Sequence, residues 1–204
     1  MIQPVKNVMS LKKTLPETIR KVKAAHPTKR VIVACMDESR FGLLPIFRRK
    51  WSFRGSRPTQ QIRLKYQWVY LFSVVEPTTG QIFSMIWNTV NIPVMQCFLN
   101  EYSKNLPKDA VCVLVLDGAG WHSEKGLDYP DNIIPLKQPA YSPECNPTES
   151  LWGWVRDKLG GHLYNTLDEL QDRLSEIVNQ FDRFRNELKS RLNYSWWAKA
   201  HICN

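Results

Sequence analysis

The sequence predicts a mixed α/β fold, a five-stranded sheet flanked by helices. Three observations lead there. Five short apolar, largely β-branched runs stand at 31–36, 67–76, 81–87, 111–117 and 132–138. The second and third are separated only by Pro77, Thr78, Thr79 and Gly80, a turn that makes them an antiparallel hairpin. From residue 91 onward helical patterns alternate with strands, as parallel crossovers require.

The elements follow in order. Residues 1–30 are polar and basic, with a helix expected from Leu11 to Ala25 and Pro16 near its start; the segment reads as an arm or linker. VIVACM, Val31–Met36, has the continuous apolar character of a strand covered on both faces, and it ends at Asp37. Residues 38–65 are loop-like and basic, broken by Gly55 and Pro58. The hairpin strands Gln67–Glu76 and Gln81–Trp87 come next, and Asn91-Ile-Pro93 opens a helix to Asn105 that carries Val94, Phe98 and Tyr102 on one face. VCVLVLD, Val111–Asp117, is a strand that also ends in aspartate, and Asn132–Gln138 is the fifth. A proline-rich loop leads to a helix from Asn146 to Leu159, stopped at Gly160-Gly161. Thr166 and Glu169 form a capping box for another helix, with Leu167, Leu170, Leu174, Ile177, Val178 and Phe181 as its apolar stripe. The aromatic and basic segment 182–204 continues as a helical tail.

Composition excludes several classes. At 204 residues, 43% hydrophobic and 23% charged, the chain is globular. Its longest apolar run, Trp68–Val75, is far short of the ~18 residues of a membrane span. The N-terminus lacks the apolar stretch of a secretory signal. Five cysteines without a CxxC pair, two of them (Cys35 and Cys112) inside strands, point to a reducing, cytoplasmic compartment and away from disulfides or zinc. Net charge is +9 but uneven: residues 1–65 hold 16 basic and 3 acidic residues, whereas the rest is weakly acidic. A basic front on an acidic body predicts an anionic partner, most simply nucleic acid.

Candidate chemistry lies in three carboxylates. Asp37 and Asp117 end the first and fourth strands, and ligand sites of α/β sheets collect beyond the carboxyl ends of parallel strands. If those strands are adjacent and parallel, the two side chains are neighbours. Glu149, in the first turn of the following helix, can reach the same edge, although Asn146, Pro147 and Glu149 also read as a helix start. Glu38 and Glu144 are nearby carboxylates that spacing leaves open as ligands. An all-oxygen set suits Mg²⁺ or Mn²⁺, and two such ions about 4 Å apart clamp the attacking and leaving oxygens of a phosphodiester displacement.

Three segments resemble signature blocks of a known family. MDESRFG (Met36–Gly42), VLVLDGAGWH (Val113–His122) and PAYSPECNPTESLWGWVRDKL (Pro139–Leu159) are similar to those of DDE transposases of the mariner superfamily, within it the bacterial insertion-sequence branch. The resemblance runs from about residue 30 to residue 180. It implies a ribonuclease H-like DDE catalytic domain over residues 31–181, with Asp37, Asp117 and Glu149 as catalytic, metal-binding residues, His122 and Asn146 as active-site support, and two Mg²⁺ or Mn²⁺ ions. The implied activity is DNA cleavage at transposon ends and strand transfer to target DNA. A nuclease that cuts without joining, or an idle DNA-binding remnant, is the alternative. Two departures stand out. The separation from Asp117 to Glu149 is slightly shorter than is usual, as a trimmed loop gives. Thirty residues before the first strand are too few for the helix-turn-helix domains of the family, so end recognition is expected from a separate or upstream segment, with a dimer on DNA.

Between the first two strands Arg48, Arg49, Lys50, Arg54 and Arg57 surround Trp51 and Phe53. The cations can neutralise phosphates and Trp51 can stack on an unpaired base, so this loop is expected to grip DNA beside the metals.

Overall fold

The computed structural model describes residues 3–44, 46, 51–56, 59, 64–119, 122, 126–140 and 142–197, with side chains from residue 9 on. The strands are β1 (Arg30–Gly42), β2 (Trp68–Glu76), β3 (Gln81–Trp87), β4 (Ala110–Leu116) and β5 (Ile133–Lys137). They form the expected five-stranded mixed sheet in the order β3-β2-β1-β4-β5. β1 is antiparallel to β2, and β2 to β3, while β1, β4 and β5 run parallel. β5 ends the sheet on one side and contains Pro135, which only a border strand tolerates.

β1 departs from expectation in a way that shapes the site. Its apolar run was expected to end at Asp37, yet the strand continues to Gly42. It pairs with β4 from Arg30 to Cys35 and with β2 from Cys35 to Gly42. The polar residues Glu38, Ser39 and Arg40 hide that continuation, because their half of the strand has a partner on one side only. Asp37 therefore stands just where β1 leaves β4, opening a notch at the carboxyl end of the parallel pair.

The helices are α1 (Gln3–Ala25), α2 (Ile92–Asn105), α3 (Thr148–Leu159), α4 (Leu167–Val178) and α5 (Arg185–Leu192). One apolar cluster joins Val33, Cys35, Val113 and Val115 of the sheet to α1, α3, α4 and α5. The opposite face, with Ile32, Ala34, Met36, Cys112 and Leu114, packs on Val94, Met95, Phe98 and Leu99 of α2. The alternation follows from the two-residue period of a strand. β4, central and covered on both sides, is buried at all seven positions.

α1 corrects the reading of residues 1–30 as an arm. Leu11, Leu15, Ile19 and Val22 recur at helical spacing and are all buried in the first cluster, alongside Cys145. Pro16 forgoes one backbone hydrogen bond without ending the helix. The other helix starts follow local chemistry: Asn91 Oδ1 accepts from Val94 N at 2.9 Å, and Thr166 Oγ1 accepts from Glu169 N at 3.2 Å. Among the described residues no helix is long and apolar enough to cross a membrane. Cys35, Cys97, Cys112 and Cys145 are free thiols.

Candidate active site

Because β1 and β4 are parallel neighbours, Asp37 and Asp117 meet at the same end of the sheet. A cleft of about 390 Å³ opens there, lined by Asp37, Asp117, Gly118, Gln138, Asn146 and Glu149, among others. Asn146 fixes the third element against the first two. Its Nδ2 donates to Met36 O at 3.3 Å, one residue before Asp37, and its Oδ1 accepts from Thr148 N at 3.1 Å at the start of α3. Asn146 thereby ties the start of α3 to β1. Glu149 lines the cleft, whereas Glu144, exposed on the short 3-10 turn Pro143–Cys145, does not.

Asp37 is held on both oxygens. Oδ1 accepts from Glu38 N at 2.9 Å; Oδ2 accepts from Trp152 Nε1 at 3.1 Å and Thr148 Oγ1 at 3.3 Å. Burial pushes its carboxyl up to about 7; the Trp152 N–H opposes this, and the charges of Glu38 and Glu149 add to it. Asp117 is the reverse case. Its Oδ1 accepts from Ala119 N at 2.9 Å and faces His122 Nδ1 at 2.7 Å, and the bond to His122 holds its carboxyl below the usual range against the effect of burial.

His122 is fully buried and stands between two carboxylates, with Nε2 2.9 Å from Glu38 Oε1. Burial alone lowers its basicity, but the bonds to Asp117 and Glu38 outweigh that and raise it to about 10. The ring is therefore an imidazolium at neutral pH, donating through both nitrogens. A contact to Glu38 was not foreseen for it.

The donor set of the cleft is all oxygen and matches a hard divalent cation. Burial first, and then the charges of Glu38 and Glu149, favour the protonated form of Asp37; a cation placed beside it would favour the ionised form. Among the described residues, no three His, Cys, Asp or Glu side chains stand close enough together to hold a metal ion as they are. Asp37, Asp117 and Glu149 share the cleft without closing to ligand spacing.

Sequence reasoning missed Trp152, Thr148 and Gln138. Trp152 was expected to be core, and it is buried, yet its indole also serves Asp37. Thr148 and Trp152 lie four residues apart on α3, the spacing that puts both on one helical face beside Glu149. Gln138 lines the cleft with a buried Oε1 that has no hydrogen-bond partner among the described residues. Of the basic loop, Trp51 and Arg54 are described and exposed, as is Phe53; Trp51 is entirely in solvent. Arg48, Arg49, Lys50 and Arg57 lie outside the described residues, as do Gly120 and Trp121.

Fold and cleft together define a ribonuclease H-like domain with acidic residues gathered beyond its parallel strands. Residues 32–171 match the DDE superfamily endonuclease model, and the chain belongs to that family. An uncharacterized protein, y4pE/y4sA, from Sinorhizobium fredii (strain NBRC 101917 / NGR234) is 35% identical over 104 residues, 50% of this chain and 77% of the relative. Among solved structures, the Mos1 transposase paired-end complex with left transposon end superposes with a TM-score of 0.67 at 16% identity, covering 100% of this chain and 63% of that one. The Mos1 mariner paired end complex with Mn gives 0.62 at 16% identity, covering 95% of this chain and 62% of that one. The fold is shared, and the chain spans less than two thirds of the Mos1 chains it resembles.

Proposed function

We propose that this chain is the catalytic domain of a transposase that cuts DNA at the ends of a mobile element, in a divalent-metal-dependent reaction, and joins the 3′ ends to target DNA. The observation that carries this reading is the shared cleft: Asp37 of β1, Asp117 at the end of β4 and Glu149 of α3, far apart along the chain, line one cavity. Membership of the DDE endonuclease family supports the nuclease chemistry. The Mos1 complexes with a transposon end and with Mn support DNA and a divalent metal as partners.

Asp37, Asp117 and Glu149 are assigned to hold Mg²⁺ or Mn²⁺, two ions in the full reading, which supply Lewis-acid activation of a water or 3′-hydroxyl and charge relief at the leaving 3′ oxygen. The protein's own side chains do the rest. Trp152 and Thr148 orient Asp37, Asn146 keeps α3 registered on β1, and His122 turns Asp117 Oδ1 inward. The loop carrying Arg48, Arg49, Lys50, Trp51, Arg54 and Arg57 is assigned to hold DNA, with Trp51 already presented to solvent as a stacking surface. Recognition of the ends is assigned to a separate or upstream helix-turn-helix segment, and the working form to a dimer on DNA in the bacterial cytoplasm.

The test is a nicking and strand-transfer assay on end-bearing DNA. Asp37→Ala, Asp117→Ala and Glu149→Ala are each expected to abolish Mg²⁺- or Mn²⁺-dependent nicking while DNA binding persists. Nicking that survives all three changes overturns the reading. Loss with Glu144→Ala but not with Glu149→Ala reassigns the third ligand. Cleavage without joining of a pre-cleaved 3′-hydroxyl end makes the chain a nuclease alone.

A further inference from the structure

Adjacent residues of β1 present two carboxylates to opposite faces of the sheet. Asp37 points toward α3, where Thr148 and Trp152 bind it, and lines the cleft. Glu38 points the other way, as the strand pleat demands, and does not line the cleft. Its side chain is only 6% exposed, and a carboxylate is costly to bury unless it is paired. Its pairing is with His122 Nε2 at 2.9 Å, and the same fully buried ring reaches Asp117 Oδ1 at 2.7 Å.

We propose that Glu38 is a positioning residue: acting through the His122 ring, it sets Asp117 so that Oδ1 is turned inward and Oδ2 is the oxygen offered to the cleft. The inference rests on the reading of the cleft as a cation site. Two hydrogen bonds define the orientation of Asp117 among the described residues, from Ala119 N and from His122, and both fall on Oδ1. The Ala119 bond is local, within the turn that follows β4. The His122 bond comes from a fully buried ring whose far nitrogen lies 2.9 Å from Glu38 Oε1, so Glu38 holds the ring on the side away from Asp117. Glu38 sits on β1, the strand that also carries Asp37, so one strand places one cleft carboxylate directly and a second at one remove. Outer partners of this kind set ligand orientation and are felt in cation affinity more than in fold.

The experiment measures binding of Mn²⁺ alone to the full chain, read from the electron paramagnetic resonance signal of free Mn²⁺, with thermal melting as the check on folding. Glu38→Asp keeps the charge but pulls the carboxylate back by one methylene. Glu38→Gln loses the charge but keeps an oxygen at the same reach. The expected result is an affinity about tenfold weaker for Glu38→Asp, recovered largely by Glu38→Gln. The double change Glu38→Asp with His122→Ala is expected to bind no more weakly than His122→Ala alone, since both act on one chain of contacts. Unchanged affinity in Glu38→Asp, the opposite ranking of the two variants, or additive effects in the double change each overturn the inference. Asp117→Ala separates this failure from that of the cation site: if that variant binds Mn²⁺ like the wild type, or if the wild type binds none, the site reading falls and Glu38 with it.

Discussion

Trp152 Nε1 lies 3.1 Å from Asp37 Oδ2, so a tryptophan only 2% exposed both fills the core and holds a cleft carboxylate. Its ring also meets Phe41 edge-on at 6.2 Å, which keeps the indole from rotating away. Core packing under α3 and the chemistry of the cleft are thereby one arrangement.

Trp152→Phe removes the N–H while keeping a ring in the core. The indole bond favours the ionised carboxylate, so its removal raises Asp37 further. A hydrogen bond to a charged group contributes about 1.5 kcal/mol, equivalent to about one pH unit. The pH profile of metal-dependent nicking is expected to move to alkaline pH by about that amount. A profile unmoved in a variant that still folds would separate Trp152 from Asp37.

Asp37 also makes stability depend on pH. Its carboxyl rises from an ordinary 3.8 to about 7 in the folded chain, so between those values the folded state holds more proton than the unfolded state. The favourable contribution is full below pH ~4 and is lost as pH rises through ~7. Asp37→Asn is expected to stabilise the metal-free chain by roughly 1–3 kcal/mol at pH 8 and to have little effect at pH 4. Thermal melts at the two pH values, with and without Mn²⁺, measure it. A gain independent of pH would assign the effect to packing instead.

The loop between β1 and β2 predicts a salt signature. Every cation that no longer meets a phosphate lowers the slope of log affinity against log salt by ~0.9 for duplex DNA, so Arg48, Arg49 and Lys50 changed together to Ala are expected to lower it by up to ~3. Trp51→Ala is expected to weaken single-stranded DNA binding by about 1–3 kcal/mol with the slope retained. Fluorescence titrations at several salt concentrations give both numbers, and an unchanged slope in the triple variant rejects the grip.

α1 is part of the folded core. Leu15, fully buried against the first cluster, is expected to cost about 2–5 kcal/mol when changed to Ala, although it precedes the first strand. Chemical denaturation reads the destabilisation; an exposed arm would give close to none.

Which parts of this were legible in the sequence follows from where the signals are local. The β2–β3 hairpin was, because its turn and both apolar runs are contiguous, and β4 was, because a strand covered on both faces has no polar residue to obscure it. Asp37 and Asp117 were visible as acidic residues closing apolar runs. The continuation of β1 to Gly42 was not, because its pairing changes partner at Cys35 and the second half is polar. The core role of α1 was hidden by lysines around a stripe with one apolar residue per turn. Trp152 on Asp37 and Glu38 on His122 depend on how α3 and the segment after β4 approach the sheet, and no periodicity records that.

Pro135 in β5 has a consequence for how copies of this chain can meet. Gln138 N donates inward to Leu116 O, so the alternation of the strand turns the Pro135 position outward, where it has no N–H to give. Its outer rim is thus a broken template: a sixth strand laid along it would find its ladder interrupted midway. Accretion of further chains by backbone pairing is discouraged on this flank, and assembly there must rely on side chains.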